Sequence, residues 1–96
     1  MRVDDILNVL SEHGPEIKAR FGVGWLALFG STARGDAGPD SDLDILVEFR
    51  LPTFRNYMGL HRYLEGLLDR PVDLVSVAAL RPPMKQEVLR EARRVA

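Results

Sequence analysis

The sequence predicts an α/β fold in which helices flank a small mixed sheet of three to four strands, forming one domain over residues 1–96. Apolar runs of strand length alternate along the chain with amphipathic segments whose apolar residues recur every three or four positions. Clusters of Gly, Pro, Ser and Asp separate these segments. No internal repeat or low-complexity linker divides the chain, and 96 residues suffice for a single hydrophobic core.

In the first half of the chain we predict two helices followed by two strands. Residues 3–13 have helical spacing of apolar side chains and two acidic residues in the first turn. Pro15 is suited to open a second helix, which should end near Gly22. Residues 23–29 and 42–49 are apolar enough for strands. A turn with a short helical stub and a loop of Gly, Pro and Asp connects them.

In the second half we predict a helix, a strand and a C-terminal helix. Thr53 is suited to cap the first of these helices, residues 72–77 form the strand, and Pro82-Pro83 begin the last helix. Trp25 is also expected in the core, and His61 is expected to be a satisfied histidine at the core edge, rather than a ligand or base. The other inward-facing residues are expected to be Phe54, Tyr57, Met58, Leu64, Leu67 and Leu68 in the first helix, and Met84, Val88, Leu89, Ala92 and Val95 in the second.

Composition narrows the functional classes. The chain has no cysteine, which excludes disulfides, thiolate catalysis and cysteine-bound zinc. No apolar stretch is long enough to span a membrane and the N-terminus lacks a signal-peptide core, so we expect a cytoplasmic protein. A formal net charge of −1 gives no general attraction to nucleic acid, and direct nucleic-acid binding is not predicted.

Asp42 and Asp44 are candidate metal ligands. Residues two apart in a strand project to the same face, about 7 Å apart along the backbone. Two carboxylates on one face repel each other unless a cation lies between them, and Mg²⁺ prefers such oxygen ligands. Asp73 would join the pair if the third strand lies beside the second. Three carboxylates could then hold two metal ions about 4 Å apart.

The segment from Gly30 to Gly35 is a candidate phosphate-binding turn. Gly30 allows a close approach of the backbone to a ligand. Ser31 offers a hydroxyl and a backbone N–H at the start of the helical stub, where anions are stabilised. Arg34 can neutralise phosphate oxygens with its forked donors. Gly35 is suited to be the C-cap of the stub.

The spacing of these residues resembles a known signature. Gly30-Ser31, ten intervening residues and Asp42-Leu43-Asp44 are similar to the signature of the polymerase-β-type nucleotidyltransferase superfamily. The form Gly-Ser-x-Ala-Arg-Gly with Ser41-Asp42-x-Asp44 resembles its smallest branch, the minimal nucleotidyltransferases (MNT). The resemblance extends from the first helix to the last and implies a polymerase-β-like core.

The resemblance also implies roles for these residues. Asp42 and Asp44 correspond to the aspartates that bind two Mg²⁺ ions, and Asp73 to the third, which helps to activate the acceptor hydroxyl. Gly30 and Ser31 correspond to the turn that binds the triphosphate. Minimal members often pair with a HEPN toxin, a helical ribonuclease. The resemblance therefore implies the antitoxin of a type VII-like system, which transfers AMP from ATP to a tyrosine of its toxin.

Two alternatives remain. An antitoxin could neutralise its HEPN partner by binding alone, although such a module gains nothing from mutually repelling aspartates. A nucleotidyltransferase for small molecules, of the kind that modifies aminoglycosides, generally needs a further helical domain to hold the acceptor. We therefore expect the acceptor to be supplied by a partner protein.

Overall fold

The computed structural model describes residues 2–96, whose elements alternate in the predicted order. The helices are α1 (Val3–Glu12), α2 (Gly14–Phe21), α3 (Gly30–Arg34), α4 (Phe54–Leu68) and α5 (Met84–Glu91). The strands are β1 (Val23–Leu28), β2 (Leu43–Phe49), β3 (Val72–Ser76) and β4 (Arg93–Arg94). The predicted fold class is confirmed, because these elements form a small mixed sheet with helices around it.

The four strands lie in the order β3-β2-β1-β4. β1 pairs antiparallel with both β2 and β4, whereas β2 and β3 are parallel. The parallel pair is joined through α4, because a parallel connection must cross back over the sheet. β2 is therefore a central strand with β3 as its neighbour, and this is the condition under which Asp73 joins the candidate site.

Side chains alternate between the two faces of the sheet, as the strand period requires. Leu43, Ile45 and Val47 of β2 face α1, α2 and α4 and belong to the larger apolar cluster. Leu46 faces the opposite side with Ala27, in a smaller cluster that Trp25 and α5 partly cover. Because α5 contributes no fully buried residue, this second face is less enclosed than the first.

Two helix caps follow the sequence closely. The Thr53 hydroxyl accepts a hydrogen bond of 3.1 Å from the backbone N–H of Asn56 and so caps α4. Gly35 has φ of +80° and closes α3 in the left-handed conformation that glycine adopts without strain. Both predicted caps are confirmed.

The predicted C-terminal helix is wrong in its length and its inward face. α5 ends at Glu91, and the next residues form β4, pairing with Ala27 and Leu28 of β1. The side chains of Met84 and Leu89 are 60% and 38% exposed. β1 would otherwise have an unpaired edge, and backbone hydrogen bonds to that edge replace the last helical turn.

The prediction that Phe54 and Met58 lie in the core is also wrong. Phe54 begins α4 and is 80% exposed, and Met58, one turn later on the same side, is also exposed. The predicted inward positions Leu64 and Leu68 are confirmed, and Leu60, which was not among the predicted positions, completes the buried face of α4. No helix among residues 2–96 has both the length and the apolar character needed to cross a membrane.

Candidate active site

The turn between β1 and α3 brings the backbone against the carboxylate of Asp44. Gly30 has φ of +56°, and a Cβ atom at this position would lie 2.8 Å from Asp44 Oδ2. Real Cβ contacts essentially never reach this distance. Glycine is therefore required at position 30 for two reasons: the backbone there is left-handed, and the carboxylate of Asp44 leaves no space for a side chain.

α3 is joined to β2 by two side-chain hydrogen bonds. Ser31 Oγ donates to Asp44 Oδ2 at 3.2 Å, and the backbone N–H of Asp44 donates to Thr32 Oγ1 at 2.8 Å. The backbone N–H of Phe29 also donates to the carbonyl oxygen of Asp44, at 3.1 Å. Asp44 is thus held to the candidate phosphate-binding turn through both its backbone and its carboxylate.

The other two candidate carboxylates lie near Asp44, since the charges of both act on its carboxyl. Asp73 is its register partner on β3, so both side chains project to the same face of the sheet. Asp42 lies one residue before β2 rather than in it. Asp42 and Asp73 are exposed, whereas Asp44 is partly buried. Asp44 and Asp73 therefore lie side by side at the N-terminal ends of two parallel strands, and Asp42 lies in the segment that leads into the first of them.

Burial and charge act together on Asp44. Partial burial raises the pKa of its carboxyl above the ordinary value of 3.8, and the hydrogen bond from Ser31 acts in the opposite direction. The nearby charges of Asp73 and Asp42 raise the pKa further. A cation placed among these carboxylates would relieve this repulsion.

The donor chemistry of the three aspartates fits Mg²⁺, which prefers carboxylate oxygens. In the side-chain arrangement of residues 2–96, no three His, Asp or Glu side chains converge closely enough to form a complete metal site. Asp44 and Asp73 nevertheless lie side by side, and Asp42 is close enough to perturb the pKa of Asp44. The residue types and their positions thus suit a divalent metal ion. To coordinate it together, the three carboxylates would have to adopt side-chain conformations that converge on one point.

The strand that carries Asp73 lies at an edge of the sheet, and side chains of α4 cover this edge. Tyr57 donates a hydrogen bond from its hydroxyl to the carbonyl oxygen of Leu74. His61 Nε2 lies 2.8 Å from the carbonyl oxygen of Val72. The carboxylate of Glu65 accepts a hydrogen bond from the backbone N–H of Val72. These contacts confirm His61 as a satisfied histidine at the core edge. They also give the edge strand the partners that a further strand would supply.

Arg34 is directed away from the three aspartates. Its Nε donates to Asp36 Oδ2 at 3.1 Å, and its Nη1 donates to Glu91 Oε2 at 3.4 Å. All three side chains are about half exposed or more, so these ion pairs are weak and can exchange with solvent. Contact of Arg34 with a phosphate would require it to leave these partners.

Two residues outside the predicted set, Thr32 and Arg70, support the site. Thr32 is 1% exposed and binds the N–H of Asp44, and Arg70 binds the loop that precedes Asp42. The sequence signal for Thr32 is a second hydroxyl residue inside the turn. For Arg70 it is a basic residue in the turn that begins the Asp73 strand. A cavity of about 410 Å³ lies between α1 and α3, but none of the three aspartates lines it.

Comparison with known proteins gives the same class of protein as this geometry. The sequence profile of the Nucleotidyltransferase domain family matches residues 10–95. Protein adenylyltransferase MntA of Thermococcus cleftensis is 41% identical over 92 residues, which cover 95% of this chain and 93% of that protein. A Methanocaldococcus jannaschii protein assigned as a protein adenylyltransferase is 36% identical over 92 residues, covering 93% and 92% of the two chains.

Solved structures extend the comparison to three dimensions. A protein classed as a minimal nucleotidyltransferase superposes with a TM-score of 0.84 at 40% identity, covering 97% of this chain and 95% of its own. The complex of a tri-AMPylated Shewanella oneidensis HEPN toxin with its MNT antitoxin gives a TM-score of 0.65 at 19% identity, with 94% and 71% coverage. The latter likeness concerns the fold alone. The chain belongs to the nucleotidyltransferase family, and the resemblance to its minimal members is confirmed.

Proposed function

We propose that this nucleotidyltransferase is an antitoxin that transfers AMP from ATP to a tyrosine hydroxyl of a cognate HEPN toxin. The observation that carries the proposal is the contact between the tight turn at Gly30 and Ser31 and the carboxylate of Asp44. Asp73 lies beside Asp44, as its register partner on β3. The names of the relatives, which include protein adenylyltransferase MntA, support the reaction. The solved complex of an MNT antitoxin with an AMPylated HEPN toxin supports the partner.

In this proposal the triphosphate of ATP lies over Gly30 and Ser31. The backbone N–H groups at the start of α3 and the Ser31 hydroxyl bind phosphate oxygens. Arg34 leaves its ion pairs with Asp36 and Glu91 and binds the triphosphate. This change of partner costs little, because the side chains in these ion pairs are at least half exposed to solvent. The turn therefore orients the α-phosphorus toward the aspartates of β2 and β3.

Asp42, Asp44 and Asp73 would hold two Mg²⁺ ions, which supply neutralising charge for the phosphates and the leaving group. The acceptor oxygen forms a bond to the α-phosphorus, the bond from that phosphorus to the bridging oxygen breaks, and pyrophosphate leaves. Asp73 accepts the proton of the acceptor hydroxyl or directs it to solvent. The products are an AMP-tyrosine phosphodiester and pyrophosphate.

The difference in exposure between the carboxylates fits these roles. Asp44 is partly buried and held by Ser31, so it suits a fixed ligand beside the triphosphate. Asp73 is exposed and lies on the edge strand β3, where the side chain of another protein can reach it. Asp42 and Asp73 are both exposed to solvent, and the cavity between α1 and α3 is lined by none of the three aspartates. An acceptor provided by a partner protein suits this arrangement.

The test is the intact mass of the HEPN toxin after incubation with this protein, ATP and Mg²⁺. We expect the toxin to gain one or more AMP units, and peptide mapping should locate them on tyrosine. The double variant Asp42→Asn plus Asp44→Asn should abolish the gain, because it removes two metal-binding charges. The matched control, Glu12→Gln plus Glu87→Gln, also removes two carboxylates, both exposed and on helices α1 and α5 outside the site, and it should modify the toxin normally.

Two outcomes would contradict the proposal. If the double aspartate variant modified the toxin as well as the wild type does, these residues would not carry the reaction. If the wild type silenced the toxin by forming a tight complex and added no mass, the alternative of an antitoxin that acts by binding alone would hold.

A further inference from the structure

Arg70 binds the loop that leads to Asp42. Its Nη2 donates to the carbonyl oxygen of Gly38 at 2.7 Å and also to that of Ser41, the residue directly before Asp42. Gly38 and Ser41 close a turn by two further bonds of 3.1 Å, from Ser41 N–H to Gly38 O and from Gly38 N–H to Ser41 Oγ. The guanidinium of Arg70 therefore donates hydrogen bonds to both ends of this turn.

The position of Arg70 in the chain makes the contact relevant to the site. It follows the C-cap of α4 and lies three residues before Asp73. Beside it, the N–H of Leu43 donates to the carbonyl oxygen of Pro71 at 3.0 Å. Arg70 and this backbone bond thus connect the segment that presents Asp42 to the segment that presents Asp73.

The partly buried position of Arg70 has an energetic cost. Arg70 is partly buried, and its Nε is buried without a hydrogen-bond partner in the part of the chain that the structure describes. A buried donor without a partner is unfavourable, and the Nη2 contacts must offset this cost. The loop it holds is rich in Gly, Pro and Asp and has no regular structure of its own, so side-chain contacts must fix its conformation.

We propose that Arg70 is a positioning residue that holds Asp42 at a fixed separation from Asp73, and so sets the geometry with which the carboxylates bind divalent metal. The inference rests on the proposed function, since it assumes that these aspartates bind metal. Arg70 acts through the Gly38–Ser41 turn and takes no part in the chemical step. Residues that orient metal ligands typically contribute about 10–100-fold to metal affinity.

The experiment measures Mn²⁺ binding to the purified protein by electron paramagnetic resonance, with no ATP or partner present. Arg70→Met keeps the apolar stem and removes the donors, and we expect it to weaken Mn²⁺ binding by about tenfold or more. Simple electrostatics predicts the opposite sign, because losing a positive charge near the site should tighten binding of a cation. Arg62→Met, which removes an exposed arginine of α4, controls for the charge and should bind as the wild type does.

Hydrogen exchange gives a second readout that does not depend on metal. The amide of Ser41 should exchange faster in Arg70→Met, whereas the amides of β1 and α4 should remain protected, which also shows that the variant is folded. Ser41→Ala loosens the same turn from the other side by removing its Oγ contact. Because Ser41 is exposed, this variant should fold, and it should weaken Mn²⁺ binding to a smaller extent.

The outcomes separate this inference from the proposed function. If the wild type binds Mn²⁺ and Arg70→Met binds it equally or more tightly, the positioning role is overturned and the proposed function stands. The role is also overturned if Ser41→Ala speeds the exchange of the loop without any change in Mn²⁺ affinity. If the wild type itself binds no Mn²⁺ while it still transfers AMP with Mg²⁺ and ATP, the inference fails alone. If it neither binds metal nor transfers AMP, both fail.

Discussion

Gly30→Ala should impair the candidate site more than it destabilises the fold. The new Cβ would lie 2.8 Å from Asp44 Oδ2, and the residue would also have to keep a φ of +56°. The backbone of Asp44 cannot easily move, because its N–H binds Thr32 Oγ1 at 2.8 Å and its carbonyl oxygen accepts from Phe29 N–H at 3.1 Å. The side chain must therefore rotate, which breaks its 3.2 Å hydrogen bond with Ser31.

The magnitudes follow from these contacts. A left-handed backbone costs an L-residue about 1–2 kcal/mol. In a domain of this size each kcal/mol lowers Tm by roughly 4–8 °C. Displacing a reacting group or its ligand by as little as about 1 Å can reduce a rate by about 100-fold. We therefore expect a moderate loss of stability together with a loss of AMP transfer of about 100-fold.

Gly35→Ala is the matched control at the other end of α3. Gly35 also has a positive φ, of +80°, but a Cβ there would meet only Val3 Cγ2, at an ordinary distance of 3.7 Å. This variant should lose a similar amount of stability and keep AMP transfer near the wild-type rate. The assay is AMP transfer to the HEPN toxin well below both Tm values, with Tm measured calorimetrically. Equal activity in the two variants at equal stability would refute the role of the contact between Gly30 and Asp44.

Four further predictions concern stability. Burial, reinforced by the neighbouring carboxylates, raises the pKa of Asp44 in the folded protein. The folded state therefore binds the proton more tightly than the unfolded state, and the wild type loses stability as pH rises from about 3.8 through the raised pKa. Asp44→Asn cannot ionise at this position and should not show this loss. Thermal denaturation from pH 3 to 7 without divalent metal should show this divergence, and Mg²⁺ at pH 7 should reduce it. Tyr57→Phe leaves the buried carbonyl of Leu74 without its partner and should cost about 1–3 kcal/mol in urea denaturation; an unchanged free energy of unfolding would show that water replaces the hydroxyl. Leu64→Ala should cost about 2–5 kcal/mol, because Leu64 is 0% exposed. Phe54→Ala should change the free energy of unfolding by less than about 0.5 kcal/mol, because Phe54 is 80% exposed; a large loss there would contradict its placement.

Local sequence predicted the elements that carry their own signals. The Thr53 cap, the Gly35 cap and the apolar alternation of Leu43, Ile45 and Val47 depend on neighbours within a few residues, and each is confirmed. The candidate turn at Gly30 was equally readable, because a glycine after an apolar strand indicates a turn whatever the rest of the chain does.

Long-range pairing accounts for the errors and omissions. Whether Arg93 and Arg94 continue α5 or pair with β1 depends on the free edge of a strand more than sixty residues earlier. The exposure of Phe54 depends on where α4 extends past the core, which helical periodicity does not specify. The contact of Arg70 with the loop before Asp42 joins segments about thirty residues apart, so the local sequence around Arg70 does not specify its partner.

The sequence by itself determined the fold class, the order of most elements and the residue types of the candidate site, because periodicity, capping and motif spacing are local properties of the chain. Only the tertiary structure decided that Asp73 lies in register with Asp44, that Arg34 pairs with Asp36 and Glu91, and that Thr32 and Arg70 support the aspartates. The physical reason is that each of these contacts joins residues or surfaces that meet only after the strands and helices have packed together.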